Sequence, residues 1–145
     1  MDGPLTGEPR HESVNPPSLA PPAGYSHAVV AAPGRTVYLA GQTAHSTDGS
    51  LPEGGMVEQF DAACGNVATG LQAAGARPEH LVSMQIFVTD LEAYRSNREA
   101  IGVAWRRHFG KHYPAMGLFE VRGLVDPRAK VELMAIAVRP DEPVG

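Results

Sequence analysis

The 145-residue sequence has one cysteine, Cys64, so it can form no internal disulfide and no thiolate metal site. No apolar run approaches the roughly 18 residues that a bilayer-spanning helix needs. No basic block is present. Twelve Lys and Arg stand against 16 Asp and Glu, a formal charge of −4, which gives nucleic-acid binding no electrostatic support. The first residues lack a charged region followed by a hydrophobic one, so no secretory signal is expected. A soluble, cytoplasmic protein is the expectation, with no membrane and no nucleic-acid partner. The six histidines show no ligand spacing on one helix face. His108 and His112 are four apart, but Gly110 interrupts the helix between them. Neither a metal nor a cofactor is expected. His27 and His45 read as satisfied surface or core residues.

What is present sorts into one domain, the default for this length and one able to bury a core without staples. Residues 1–15 read as a flexible arm. Pro4, Pro9 and further prolines up to Pro22 come with few large apolar residues, too few to offset the entropy of ordering. Residues 16–140 form the domain, and 141–145 a short tail. Tyr25–Ala32 and Thr36–Thr43 read as strands, the second rich in β-formers at Val37, Tyr38 and Leu39. Ala44–Gly55 holds Asp48-Gly49 and Gly54-Gly55 and reads as a loop. From Met56 to Ala74 the apolar positions Val57, Phe60, Cys64, Val67 and Leu71 step by three and four, as on a one-face helix. Gly75 is placed to end that helix.

A third strand is expected over Leu81–Thr89 and a second helix over Leu91–Phe109. Two last strands follow, Ala115–Arg122 and Lys130–Arg139. The order β-β-α-β-α-β-β predicts an α+β sandwich with two helices on one face of a mixed sheet. The other face would be bare, and self-association is the natural way to cover it. The chemistry-bearing residue of this pattern is Glu132, a carboxylate inside the apolar run Val131-Glu132-Leu133-Met134-Ala135-Ile136-Ala137. On a cleft wall a glutamate can act as a base, because desolvation raises its pKa. On an exposed edge strand it would be an ordinary surface charge or half of a subunit salt bridge. Glu120, on the preceding strand, reads as structural.

Several marks, in order, resemble the RidA/YjgF family of reactive-intermediate deaminases. They include Gly24-Tyr25-Ser26-His27-Ala28, Gly41-Gln42, Glu58-Gln59, Asn66 and Phe87-Val88-Thr89-Asp90. Asn97, Pro114-Ala115 and Val131-Glu132 with Ala135-Ile136-Ala137 complete the set, which spans about Pro16 to Arg139. The resemblance implies a chorismate-mutase-like fold, a homotrimer, and active sites in clefts between subunits. It implies hydrolysis of an imine or enamine, such as 2-aminoacrylate, to a keto acid and ammonia. Carried onto this chain, the water-handling glutamate is Glu132 and the pocket tyrosine is Tyr25. Gly41 and a backbone N–H near Leu118 would also face substrate.

Two positions depart from the family pattern. The arginine that follows Pro-Ala and binds a substrate carboxylate is here Met116, and the serine before Gly-Gln is Ala40. Losing one partner of a buried ion pair typically costs about 2–5 kcal/mol, so a small imino acid should bind roughly thirty- to several-thousandfold worse. Arg122 shares the alternation of Met116 but lies about 20 Å along the strand. Lys111, His112 and Arg98 are the other candidate cations. The sequence therefore supports a small-molecule enzyme acting on an imine, enamine or related carbonyl derivative in a more apolar pocket. The alternative is a non-catalytic, ligand-binding or regulatory trimer.

Overall fold

The computed structural model describes residues 8–143. The elements run β1 (Glu12–Val14), β2 (Ala28–Val30), β3 (Arg35–Tyr38), α1 (Met56–Ala73), a 3₁₀ turn (Pro78–His80) and β4 (Leu81–Val88). They continue with α2 (Leu91–Arg95), α3 (Arg98–Phe109), β5 (Ala115–Glu120) and β6 (Val131–Arg139). The main sheet has the order β3-β6-β4-β5, antiparallel except for the β4–β5 pair. The expected α+β class holds. The expected single sheet does not, because β1 and β2 form a separate two-stranded ribbon.

Each helix is built where the sequence placed it, with one change. The stripe Phe60, Cys64, Val67, Leu71 of α1 is buried, and α1 lies across β6 and against α3. Burial pushes the Cys64 thiol well above its ordinary pKa, as befits a small core group rather than a nucleophile. Gly75, at φ +75°, ends α1 in a Schellman arrangement, with Ala76 N–H donating to the Leu71 carbonyl and Gly75 N–H to that of Gln72. The second helix is split into α2 and α3. Ser96 and Asn97 are poor helix formers, and the Asn97 side-chain amide donates to the Ala93 carbonyl at 2.7 Å, competing with the backbone ladder. Asp90 caps α2 through the Ala93 N–H.

On β6, Val131, Leu133, Ala135 and Ala137 are buried beneath the helices. On β4, Met84, Ile86 and Val88 do the same. Alternation sends Glu132, Met134 and Ile136 to the opposite face, where Phe87 is the register partner of Glu132 and Tyr38 that of Ile136. No helix among the described residues covers that face. Tyr38 is 76% exposed, Phe119 48% and Met134 44%.

The largest departure from expectation is the N-terminal arm. Its first residues lie outside the described ones, as do residues 144–145 of the tail. Residues 8–14 are docked, and polar groups rather than apolar ones hold them. Glu8 accepts from Arg77 at 2.8 and 2.9 Å and from His80 at 2.9 Å. His80, 4% exposed, takes the Arg77 backbone N–H on Nδ1, so its Nε2 carries the proton toward Glu8. His11 accepts the Ala32 N–H on Nδ1 and donates from Nε2 to the Val138 carbonyl. Glu12–Val14 then pairs with Ala28–Val30.

The hydrogen bond from His80 and the Arg77 guanidinium hold the Glu8 carboxyl below its ordinary pKa. A depressed folded pKa means that the stabilisation is complete above the usual glutamate range and is lost as pH falls through the lowered value. Glu8→Ala leaves the buried His80 N–H unpaired, at a cost of about 1–3 kcal/mol. Thermal melts at neutral pH should show a drop in Tm of roughly 3 °C or more, shrinking toward zero in acid. The exposed neighbour Arg10→Ala should leave Tm unchanged. Equal melting of Glu8→Ala and wild type at neutral pH would mean that the segment is not docked.

Candidate functional site

The residues singled out in the sequence fall into two groups on opposite sides of the sheet. The first surrounds Glu132. Its carboxylate lies half-buried on the uncovered face, beside Phe87 across the ladder. Phe87 stacks on Phe119 with ring centroids 5.9 Å apart, giving the carboxylate an apolar flank. The chain leaves β3 at Tyr38 and touches β6 again at Gln42, which exchanges backbone hydrogen bonds of 2.7 and 2.8 Å with Leu133. Between these contacts Gly41 passes directly over the Glu132 side chain. A Cβ at residue 41 would stand 2.5 Å from Glu132 Oε2, so only glycine fits without moving the carboxylate. Ala40 is exposed on the same loop, which extends the uncovered face. The strand expected to run to Thr43 therefore stops early, because the chain bends around this carboxylate.

A second polar cluster buttresses the loop beyond Gly41. Thr43 Oγ1 is hydrogen-bonded to His45 Nδ1, and His45 Nε2 to Asp126 at 2.8 Å. Arg128 first, then His45, hold the Asp126 carboxyl far below the usual range. The Asn66 side chain donates to the Thr43 and His45 carbonyls, tying the loop to α1. The buried Gln59 amide donates to the Arg128 carbonyl and accepts from the Lys130 N–H, fixing the entry to β6. Sequence reasoning set His45 aside as a lone histidine. Its partner Asp126 is 81 residues away, and no local spacing signals such a pair.

The second group is Tyr25, Met116 and Leu118. Met116 is the register partner of buried Met84, and Leu118 that of Ile86, so both lie on the helix-facing side. Ser26, 6% exposed, donates its hydroxyl to the Tyr113 carbonyl at 2.6 Å, and its N–H to that of Pro114. These bonds hold the β2 end of the chain along β5 and carry Tyr25 to the rim of a groove of about 860 Å³ between β5 and α3. Met116 is part of its floor. Trp105 stacks on Tyr113 with centroids 6.2 Å apart and donates to the His112 carbonyl. Tyr94 lines the groove too. Burial raises its phenol pKa, and Arg98 pulls in the other direction.

Of the cations considered as substitutes for the missing arginine, one lies in this groove. Arg98 lines it, together with Arg95 at the end of α2 and Arg106 of α3. His112 turns its Nε2 to the Leu81 carbonyl, and burial lowers its pKa. His108 turns instead to Asp61, at 2.7 Å. Arg122 lies beyond the end of β5, and Lys111 is exposed before it.

One chain thus brings Tyr25, Met116 and Leu118 together, and separately Glu132, Gly41 and Ala40. It does not bring the two sets to one place. The first set offers an apolar and aromatic surface with cations at its rim. The second offers a carboxylate beside a bare backbone segment, suited to holding a water or accepting a proton.

The chain is similar to known proteins in sequence and in fold. The model of the family described as endoribonuclease L-PSP matches residues 16–139. The 2-iminobutanoate/2-iminopropanoate deaminase of Capra hircus is 31% identical over 117 residues, covering 79% of this chain and 80% of the relative. The RutC family protein UK114 of Drosophila melanogaster is 32% identical, covering 80% of this chain and 81% of its own length. A crystal structure of a Rid-family protein from Yersinia pestis superposes with a TM-score of 0.80 at 29% identity, covering 90% of this chain and 99% of the other.

Gly41→Ala should keep the fold, since the loop is half-exposed, and should displace the Glu132 carboxylate. Any activity that depends on Glu132 should fall at least tenfold while Tm moves little, as read by steady-state assay and thermal melt. Full activity in this variant would show that the carboxylate acts from another position.

Proposed function

The chain belongs to the endoribonuclease L-PSP family, the RidA/YjgF group, and from that premise we propose an enzyme that hydrolyses an imine, enamine or related carbonyl derivative. The observation that carries this reading is the Glu132 carboxylate, for which Gly41 leaves room on an otherwise apolar face. Glu132 holds and deprotonates the attacking water. The relative from Capra hircus is named for an activity on 2-imino acids, and the same reaction class is assigned here.

The active unit is a homotrimer. Tyr38, Phe119 and Met134 are too large and too exposed to be left to water, and a second copy covers them. The two half-sites meet across that contact. The groove of one protomer, with Tyr25, Met116 and Leu118, stands against the Glu132 face of the next. This accounts for the opposite placement of the two sets within one chain. Substrate lies against the floor formed by Met116, and the backbone near Leu118 donates to a substrate oxygen. Water attacks the C=N carbon as Glu132 takes its proton. The proton passes to nitrogen, and the carbinolamine collapses to a carbonyl compound and ammonia.

Neither a metal nor a cofactor has a role in these steps. The net charge of −4 gives a polynucleotide substrate no support. A binding or regulatory trimer without turnover is the second reading, and Met116 in place of a carboxylate-holding arginine is the observation that favours it.

Light scattering should give about 46 kDa, three chains of 15.4 kDa. Glu132→Gln should retain that mass and lose imine hydrolysis at least a hundredfold, measured by loss of semicarbazide trapping of a generated imine. A trimer that hydrolyses no imine at all would leave the binding reading. A monomer at micromolar concentration would remove the shared site.

Met116→Arg supplies a β5 cation. Against 2-iminopropanoate, wild type should be slow and the variant faster by at least tenfold in kcat/KM, since the fork both binds and orients. Fast turnover by wild type would mean that small imino acids are already held without this residue.

A further inference from the structure

Helix α3 carries an unusual arrangement of charge where it borders the groove. Arg98, Gly102 and Arg106 are spaced by four and share one stripe, and Arg95 precedes them by one turn of α2. All three arginines line the groove, and none forms an ion pair or donates a side-chain hydrogen bond among the described residues. The next residues along α3 behave differently. Arg107 is paired with Asp61 at 2.7 Å, and His108 shares the same carboxylate.

Gly102, between the two α3 arginines, leaves open the surface over which Arg106 lies. A Cβ at residue 102 would lie 3.2 Å from Arg106 Nη1, so the Arg106 guanidinium folds back over the glycine, one turn toward Arg98. Arg98 and Arg106 are eight residues apart, a rise of about 12 Å, and folding back one turn brings the Arg106 head to the level of Gly102, about 6 Å from that of Arg98. An anion seated over Gly102 would be attracted by both cations. Below them the groove is apolar and aromatic, formed by Met116, Ile101, Trp105, Tyr113 and Tyr25.

Resting on the imine-hydrolase reading above, we propose that the carboxylate of the substrate is held by Arg98 and Arg106 of α3, not by a β5 residue, and that the substrate is a 2-imino acid with a bulky, aromatic side chain. The groove lining, with Met116, Ile101, Trp105 and Tyr113, offers more apolar and aromatic surface than a three- or four-carbon imino acid covers. The methionine on β5 supplies an adaptable apolar floor for the side chain. Moving the cations from the strand to the helix moves the carboxylate outward. The side chain then has room between the carboxylate and the floor.

Calorimetry with 2-oxo acids, the hydrolysis products of such imines, tests this without turnover. Phenylpyruvate should bind wild type at least tenfold more tightly than pyruvate, and at least tenfold more tightly than the neutral phenylacetone. The double variant Arg98→Gln/Arg106→Gln should lose at least tenfold on phenylpyruvate and leave phenylacetone unchanged. Arg107→Gln, whose partner is Asp61, should leave phenylpyruvate unchanged. Equal affinity of the double variant for phenylpyruvate, or equal wild-type affinity for pyruvate and phenylpyruvate, would overturn the proposal. So would a loss of trimer mass in the double variant, because the arginines would then be subunit contacts. Glu132-dependent imine turnover with phenylpyruvate binding insensitive to the arginines would remove this inference alone. Arginine-dependent binding without any turnover would leave it standing and remove the hydrolase reading.

Discussion

The two-residue alternation of β6 is the constraint on which the rest of this molecule depends. Val131, Leu133, Ala135 and Ala137 must all face α1 for the core to close. The same register commits Glu132, Met134 and Ile136 to the other side. A slip of one residue would put a carboxylate under the helices and four apolar side chains into water. Burying an unpaired carboxylate is among the costliest changes a core can suffer, so the register is strongly specified. Phe87, Tyr38 and Phe119 then gather on the Glu132 face through their pairing with β6 and β4. The carboxylate thus owes its surroundings to the packing of the opposite face.

The groove has a different origin. It exists because the chain entering β2 is tied to β5 by Ser26, and because α3 stands off from β5 at the width of Trp105 and Tyr113. Trp105 is fixed by its bond to the His112 carbonyl and its edge contact with Phe109. A rigid aromatic wall on one side and a flexible methionine on the other make a surface that accepts a flat apolar group. The two halves of the proposed site therefore rest on separate parts of the fold. Among the described residues the two sets lie on opposite faces of the sheet, which is the physical reason that assembly and catalysis are linked in this reading.

Much of this was legible in the sequence, and the parts that were not share a cause. The helix α1 stripe, its glycine stop and the alternation of β6 are local patterns, and local patterns are read from spacing alone. Glu132 and Met116 were singled out as candidate site residues. Their placement on opposite faces was not, since it depends on the parallel register of β4 with β5. The docked segment around Glu8 and His11 was read as an arm because it lacks apolar residues. Its anchors are hydrogen bonds to Arg77, His80 and Val138, which lie 69 to 127 residues away. The Thr43, His45 and Asp126 cluster was missed for the same reason. Polar contacts over long sequence separations leave no periodic trace. The helix expected over Leu91–Phe109 took no account of Ser96 and Asn97, where a side-chain bond to the Ala93 carbonyl breaks the backbone ladder.

The position of the charges bears on what the site can select. An arginine on β5 would hold a carboxylate at the groove floor, directly above Met84, and would leave little room for a side chain. With methionine there, the floor is apolar and the cations stand at the rim on α3. A substrate that places its carboxylate at the rim and its side chain on the floor gains both contacts. A three-carbon imino acid is too short to do so and gains one. Discrimination then follows from length and apolar area, each buried methylene contributing about 0.8 kcal/mol. The rim charges hold the carboxylate and so set its orientation as well as part of its affinity. On the proposed reading, methionine in place of a strand arginine changes which imines reach Glu132 and leaves that carboxylate in place.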